Sequence, residues 1–210
     1  MVWQTFDLPD ADVRYAPQWL ALHEADALFG ALRDGIVWER HRLRLFGRDV
    51  DAPRLSCWIG DVGAIYTYSR TRFEPRPWPD ALHAVRERLR AECGVDFNGV
   101  LANLYRDGND GMGWHADDEP ELGTRPLLAS LSLGAARRFA IRHRDDAAHR
   151  LDIELAHGSV LLMGGAMQAH YRHALPKTAH AVGERINLTF RKLGSASTTP
   201  LPAGEGWGER

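Results

Sequence analysis

Residues 99–117, GVLANLYRDGNDGMGWHAD, combine a strand-like run, a turn and a short polar segment. The run Gly99–Tyr105 is mostly apolar, which is typical of a buried strand. Residues 107–113 contain three glycines together with Asp and Asn, which favour turns because they tolerate positive φ or bond to the nearby backbone. His115 and Asp117 follow, two residues apart, so in extended backbone both side chains leave from the same face.

Downstream of this stretch the chain consists of short apolar runs separated by turn residues. These runs are 127–133, 139–143, 151–155, 159–163, 169–175 and 185–192. No helix-length periodic segment interrupts them, which favours an antiparallel sandwich or barrel over alternating βαβ units. The expected fold class is therefore mainly β with flanking helices.

Two amphipathic helices are predicted upstream. The first begins at Pro17 and ends near Gly35. Its apolar stripe consists of Trp19, Leu22, Ala25, Leu28, Phe29 and Leu32. The second begins at a cap, Asp80, and ends at Gly94. Its inward-facing residues are Leu82, Val85 and Leu89.

The remaining N-terminal segments give weaker patterns. Residues 1–16 suggest an irregular arm or a short strand, and residues 53–63 suggest a loop. In the strand-like run 64–69, Tyr66 and Tyr68 share one face. Such a pair is more typical of a core or a sheet surface than of a platform on which bases stack, and both interpretations stay open.

Length and composition limit the class of protein. The 210 residues are 44% hydrophobic, which fits a single domain over residues 1–194, followed by a Gly- and Pro-containing tail, 195–210, that is expected to be disordered. The formal net charge is −2, so a nucleic-acid partner would need a local basic patch. Two cysteines without a CxxC pair, no signal-peptide pattern and no membrane-length apolar run predict a cytoplasmic protein.

His115 and Asp117 form half of a possible metal site. A further histidine would complete the two-histidine, one-carboxylate triad of non-haem Fe(II) enzymes, which leaves coordination positions open. The downstream candidates are His143, His149, His157, His170, His173 and His180. His170 and His173 lie in a predicted strand and face opposite sides, so only one of them can point inward, and spacing does not decide which.

The last apolar run, Arg185-Ile-Asn-Leu-Thr-Phe-Arg191, has two distinct faces. One face carries Arg185, Asn187, Thr189 and Arg191. Two arginines on a half-apolar strand indicate an anion, and a dicarboxylate co-substrate beside a metal would satisfy both guanidinium groups. A solvated outer face is the alternative.

A basic segment, 40–48, lies upstream. Arg40, Arg42 and Arg44 would share one strand face, with Phe46 next on it. A solvated edge strand with protective charges and a strip that contacts phosphates fit this pattern equally well.

Several motifs together resemble the AlkB family of Fe(II)- and 2-oxoglutarate-dependent dioxygenases. They are His115-x-Asp117, His173-Ala-Leu-Pro, the Arg185–Arg191 run, Asn103-x-Tyr105 and Ser130-x-Ser132-Leu-Gly134, and the resemblance extends from about Phe46 to Leu193. It implies a double-stranded β-helix (jelly-roll) core at about 99–193, N-terminal helices and a nucleotide-recognition lid at about 36–75. It also selects His173 as the third metal ligand.

The resemblance implies a role for each matching residue. His115, Asp117 and His173 would hold Fe(II), with O₂ as the second co-substrate. The residues implied to bind 2-oxoglutarate are Asn103, Tyr105, Arg185, Asn187 and Arg191. Among them, Arg185 and Tyr105 would take the distal carboxylate, and Arg191 would lie near the end that chelates the metal.

The lid is similar to that of the DNA-repair branch of the family. By this resemblance Phe46 fills the gap left by a flipped base, Tyr66 and Tyr68 line the base pocket, and Asp118 and Glu119 lie near the base. Contacts to phosphates are expected from Arg40, Arg42, Arg44, Arg48, Arg54 and the 137–144 hairpin.

The implied activity is oxidative demethylation of N-alkylated bases, such as 1-methyladenine and 3-methylcytosine. The partner would be alkylated DNA, with RNA possible, and the protein a monomer. Succinate, CO₂ and formaldehyde are the expected products. The alternatives are a dioxygenase that acts on RNA, protein or a small molecule, a zinc hydrolase with the same ligands, and a non-catalytic jelly-roll binding module.

Overall fold

The computed structural model describes residues 2–45, 48–68 and 71–194. The strands are β1 Gln4–Leu8, β2 Ala11–Ala16, β3 Arg42–Leu45, β4 Arg48–Asp51, β5 Leu55–Gly60, β6 Tyr66–Tyr68, β7 Thr71–Phe73, β8 Gly99–Tyr105, β9 Met112–His115, β10 Leu128–Gly134, β11 Arg137–His143, β12 Arg150–Leu155, β13 Ser159–Gly165, β14 Tyr171–Leu175 and β15 Arg185–Arg191. The helices are α1 Leu22–Gly35, α2 Asp80–Cys93 and the single turn α3 Met167–His170, and residues Pro120–Leu122 form a 3₁₀ turn.

Two antiparallel sheets form the body of the molecule. The larger has the strand order β1-β2-β13-β10-β15-β8-β5, and the smaller has the order β12-β11-β14-β9. Two further strand pairs, β3–β4 and β6–β7, lie in the region predicted to be a lid. This arrangement, with helices outside the larger sheet, confirms the predicted jelly-roll class.

The core has two parts, separated by the larger sheet. One part packs α1 and α2 against the outer face of that sheet, and the other contains apolar residues from both sheets. Strand β15 shows how the sequence produces both parts, because Ile186, Leu188 and Phe190 belong to the helix-side core. By the alternation of a strand, its polar residues therefore face the space between the sheets.

The structure confirms the second predicted helix, its inward-facing residues and its end at Gly94. Leu82, Val85 and Leu89 are buried, and Gly94 ends the helix with a φ of 69°. The predicted cap was wrong by one residue. Pro79 occupies the N-cap position, Asp80 is the first helical residue, and no side chain caps the N-terminus.

The first helix begins at Leu22, and the prediction that it begins at Pro17 was wrong. Trp19 precedes the helix and is nevertheless buried in the helix-side core, where its indole N–H donates to Glu92 of α2 at 2.7 Å. Leu22, predicted to belong to the apolar stripe, is 70% exposed.

Three other segments differ from their predictions. The predicted loop 53–63 was wrong for Leu55–Gly60, which form β5; this strand is almost entirely buried and pairs with β8 along its whole length. In the segment 1–16, predicted to be an irregular arm or a short strand, Gln4–Leu8 and Ala11–Ala16 form the hairpin β1–β2, and β2 pairs with β13. The predicted strand 169–175 is shorter, because His170 ends α3 and only Tyr171–Leu175 is extended.

None of the described helices combines the length and apolar composition needed to span a membrane.

Candidate active site

Two neighbouring strands of the smaller sheet bring the predicted histidines together. His115 of β9 lies opposite His173 of β14 in the antiparallel register, and their ring centroids are 4.2 Å apart. Asp117 follows β9, and its Oδ1 lies 4.0 Å from Nε2 of His115. One ligand atom from each residue lies within 4.8 Å of the other two. Within the described ranges, no other group of three such residues is close enough to share a metal ion.

The protonation states of these residues suit a metal. Burial, with a smaller effect of His115, lowers the pKa of His173 to about 3, so the ring is neutral near pH 7. Burial alone would raise the pKa of Asp117, but Arg191 and the two histidines outweigh it and lower the value to about 2. The ionised carboxylate and the neutral imidazoles are the forms that bind cations.

The orientation of the two rings also fits a metal. Nδ1 of His115 lies 2.8 Å from the carbonyl oxygen of Gly113. Since a carbonyl only accepts, Nδ1 carries the proton, and the lone pair of Nε2 is available. Nδ1 of His173 is buried and has no hydrogen-bond partner among the described residues. Two imidazoles and a carboxylate with open donor atoms are the ligand set of a facial Fe(II) triad.

A buried cation, Arg185, lies in the same cavity. Its Nη2 donates to Oγ of Ser132 at 2.9 Å, and its guanidinium lies 5.3 Å from the ring centroid of Tyr105. Its Nε is buried without a hydrogen-bond partner in the described part of the chain. No described carboxylate forms an ion pair with it. Burial lowers the pKa of Arg185 to about 10, so the group stays charged at neutral pH. A buried charge without a counterion is costly, and an anionic ligand would remove that cost.

The other end of the polar face of β15 reaches the metal ligands. Nη2 of Arg191 forms an ion pair with Oδ2 of Asp117 at 3.0 Å, and both side chains are almost fully buried. The pKa of Arg191 is raised, because Asp117 and other anionic neighbours outweigh the effect of burial. Arg185 and Arg191 therefore mark two ends of one cavity, and the second end coincides with the triad.

All eight residues implied to bind iron and co-substrate line this cavity. They are Asn103, Tyr105, His115, Asp117, His173, Arg185, Asn187 and Arg191. The sequence interpretation missed the apolar lining. The ring centroid of Phe139, for example, lies 5.3 Å from that of His173. Its position in β11 is inward by strand alternation, which is the only local signal for it.

Two residues predicted to contact substrate have other partners. Arg54 is buried, and its Nε donates to Oδ1 of Asn103 at 2.9 Å, so the predicted contact with a surface phosphate does not fit this structure. Tyr66 is 0% exposed, stacks on Trp58 and donates its hydroxyl to Oε1 of Glu119 at 2.8 Å. Its ring therefore presents no surface to a base, contrary to the predicted pocket lining.

The two acidic residues after the triad differ in environment. Asp118 is exposed and accepts a hydrogen bond from Nη2 of Arg144 at 2.9 Å. Glu119 is partly buried, and its Oε2 is enclosed and has no hydrogen-bond partner within the described ranges. Burial, with a smaller effect of Asp117, raises the pKa of Glu119. Phe46 and the side chain of Tyr68 lie outside the described residues, so their predicted roles remain predictions.

The predicted phosphate contacts divide into three groups. Arg40 and Arg42 are exposed and lie 3.4 Å and 4.0 Å from Asp51. The side chains of Arg44 and Arg48 lie outside the described residues. Arg137 was wrongly included, because it is buried and its guanidinium donates to three backbone carbonyls, those of Asp107, Asp110 and Pro176.

Comparison with known proteins agrees with this site. Residues 12–191 match the 2OG-Fe(II) oxygenase superfamily. The bovine alpha-ketoglutarate-dependent dioxygenase alkB homolog 3 is 38% identical over 200 residues, which cover 91% of this chain and 68% of the relative. The mouse DNA oxidative demethylase ALKBH2 is 38% identical over 180 residues, which cover 81% of this chain and 75% of the relative.

The solved structure of OsALKBH1 has the same fold, with a TM-score of 0.61 at 18% identity, and the match covers 91% of this chain and 100% of that chain. The metal and co-substrates of the superfamily, Fe(II), 2-oxoglutarate and O₂, fit the triad and the arginine-lined cavity. The chain is thus a 2-oxoglutarate-dependent dioxygenase and belongs to the AlkB family within the 2OG-Fe(II) oxygenase superfamily.

Proposed function

We propose that this enzyme removes methyl groups from nitrogen atoms of bases in alkylated DNA. The strongest support is the acidic residue two positions after Asp117, Glu119, whose enclosed Oε2 has no hydrogen-bond partner among the described residues and whose charge interacts with Asp117 and Arg191. Bases such as 1-methyladenine and 3-methylcytosine carry a positive charge and an exocyclic N–H donor. A carboxylate near the metal would attract them over neutral bases. A cation beside Glu119 would also favour its charged form, against the effect of burial.

The names of the relatives support the same reaction, since ALKBH2 is a DNA oxidative demethylase. When bound, Fe(II), 2-oxoglutarate and O₂ supply the oxidising chemistry, in which 2-oxoglutarate yields succinate and CO₂ and the N-methyl carbon leaves as formaldehyde. The chain supplies geometry and charge. His115, Asp117 and His173 would hold the metal from one side and leave the other side open.

The arginines divide the remaining tasks. Arg185 is 2% exposed and would bind the distal carboxylate of 2-oxoglutarate through its Nε–H, which has no partner among the described residues. Arg191 would hold the Asp117 carboxylate in place and neutralise part of its charge. A base must leave its stack to reach this cavity, and an N-methyl group already weakens its pairing.

A row of exposed arginines on the smaller sheet supports a nucleic-acid partner. Arg142 lies directly opposite Arg150 on one side and opposite Arg172 on the other. No ion pair with a described carboxylate involves any of the three, and Arg142 lies 4.0 Å from the ring centroid of the exposed Trp114. Like charges placed opposite each other across strands destabilise a sheet. The phosphates of a nucleic acid would remove this repulsion.

We expect the double substitution Arg142→Ala and Arg172→Ala to weaken binding of single-stranded DNA. The dependence of log Kd on log salt concentration should become shallower by about 1.4, since each phosphate contact on a single strand contributes about 0.7. Fluorescence anisotropy with a labelled oligonucleotide at several salt concentrations measures both quantities. Arg33→Ala is the matched control, because Arg33 lies on α1, outside the smaller sheet, and pairs with Glu184 at 2.6 Å. An unchanged salt dependence in the double variant would show that these arginines do not contact the phosphates.

The substrate is tested with methylated oligonucleotides. Wild-type protein with Fe(II), ascorbate and 2-oxoglutarate is incubated with 3-methylcytosine in single-stranded DNA, double-stranded DNA and single-stranded RNA, and mass spectrometry follows loss of the methyl group. We expect demethylation of DNA and none with His115→Ala. If only the RNA oligonucleotide is demethylated, the substrate is RNA and the proposal of DNA as the substrate is wrong. Succinate formation without demethylation of any oligonucleotide would place the substrate outside nucleic acids.

A further inference from the structure

A buried glutamine contacts the backbone of the metal-binding carboxylate. Gln168 lies on α3 and is 3% exposed. Its side-chain Oε1 accepts the backbone N–H of Asp117 at 2.9 Å, across 51 positions of sequence. Its Nε2 is buried and has no hydrogen-bond partner among the residues that the structure describes. This side chain therefore makes a single described hydrogen bond, and that bond is to a metal ligand.

Asp117 needs such a contact because it lies beyond the end of β9. Its N–H is buried, and a buried N–H without an acceptor is costly. The ion pair with Arg191 fixes the carboxylate, and the bond to Gln168 fixes the backbone. Asp117 is thus held at both of its ends, by side chains from β15 and from α3.

The turn that carries Gln168 is itself held by hydrogen bonds from a residue at the protein surface, Arg144. Nη2 of Arg144 donates to the backbone oxygen of Gln168 at 3.1 Å and to Asp118 at 2.9 Å. The backbone N–H of Arg144 donates to the backbone oxygen of His170 at 2.8 Å. His173 follows the same turn on β14. The turn α3 therefore joins the segment that carries Asp117 to the strand that carries His173.

We infer that Gln168 is a positioning residue of the metal centre. Its amide oxygen sets the place of the Asp117 backbone and so fixes the separation between two of the three metal ligands. Partners of metal ligands are typically worth about 10–100-fold in metal affinity. This role depends on the triad alone and holds whatever the substrate is.

The test compares three variants of the full chain. Gln168→Met keeps the size of the side chain and removes the acceptor. Gln168→Glu keeps an acceptor oxygen, loses an N–H that has no partner among the described residues, and adds a buried carboxyl group close to Asp117. Met167→Ala removes a fully buried side chain from the same turn and leaves the bond to Asp117 in place. Thermal unfolding of the metal-free proteins shows how much each variant is destabilised.

The readouts are the dissociation constant for Co(II), measured by titration, and the visible absorption of the bound Co(II), which reports ligand geometry. We expect Gln168→Met to weaken Co(II) binding by about 10–100-fold and to alter the spectrum. The Co(II) affinity of Gln168→Glu should lie between that of Gln168→Met and that of the wild type. Met167→Ala should bind Co(II) like the wild type, even if it unfolds at a lower temperature.

Three results would overturn the inference. Wild-type Co(II) affinity in Gln168→Met would show that the acceptor is dispensable. An unaltered Co(II) spectrum in Gln168→Met would show that the acceptor does not set the ligand geometry. A loss of affinity in Met167→Ala as large as that in Gln168→Met would show that loosening of the turn explains both.

Discussion

Replacing His115 with alanine is expected to abolish metal-dependent turnover of 2-oxoglutarate while the fold remains intact. His115 lies at the end of β9, its side chain is 20% exposed, and its Nε2 faces Asp117. Even indirect partners of metal ligands are worth about 10–100-fold in affinity, so loss of a ligand should weaken metal binding by more than about 100-fold. Succinate formation and Co(II) titration measure the two effects.

Substitution of His115 tests the metal site more directly than substitution of Asp117, because it should affect stability less. Asp117→Ala should also stop turnover, but it leaves the buried Arg191 without its ion-pair partner and should destabilise the protein. His180→Ala is a matched control, since His180 is exposed and lies away from the triad in a surface groove. If His115→Ala forms succinate at the wild-type rate, the assignment of the triad is wrong.

Replacing Arg185 with methionine is expected to eliminate 2-oxoglutarate binding and yet to stabilise the ligand-free protein. The wild-type guanidinium is 2% exposed and has no carboxylate partner among the described residues. Methionine has a similar length and removes this buried charge, which costs several kcal/mol unless it is paired. The variant should therefore have a higher Tm than the wild type when both are free of ligand.

Ligand-dependent unfolding separates the two effects. At a 2-oxoglutarate concentration of about 100 Kd, binding should stabilise the metal-loaded wild type by about 2.7 kcal/mol. The same concentration should leave the Tm of Arg185→Met unchanged. Binding retained by Arg185→Met would refute the proposed carboxylate contact.

Arg137→Met is the matched control for Arg185→Met. Arg137 is equally buried, but its guanidinium donates to three backbone carbonyls. Since each hydrogen bond from a charged donor is worth about 1.5–3 kcal/mol, Arg137→Met should destabilise the protein by about 3 kcal/mol or more. A loss of stability in Arg185→Met as large as that in Arg137→Met would show that Arg185 has a structural role instead.

The sequence predicts the parts of the site that depend on local periodicity. Alternation along β15 places Arg185 and Arg191 on one face and Ile186 on the other, as the structure shows. The second helix is predicted almost to the residue, because its apolar spacing and Gly94 are local signals.

The sequence alone does not predict the features that arise from contacts between distant strands. Spacing left the choice of the third histidine open, and the structure brings His173 to His115 through pairing of β14 with β9. Arg54 and Tyr66 have side chains of the kinds that often lie at the surface or contact a substrate, and the sequence analysis assigned them such roles. Both are buried, and Asn103 and Glu119 offset the cost of burial by providing their hydrogen-bond partners. No local motif marks Gln168, since its partner is 51 positions away.

The most direct measurement of the central claim is the ratio of succinate to demethylated base in the same tubes. Wild-type protein is incubated with Fe(II), 2-oxoglutarate, O₂ and a single-stranded 3-methylcytosine oligonucleotide. We predict that each methyl group lost is matched by one succinate once turnover without oligonucleotide is subtracted, and that neither product forms with His115→Ala. Metal-loaded, folded wild-type protein that forms neither succinate nor demethylated cytosine would contradict the account.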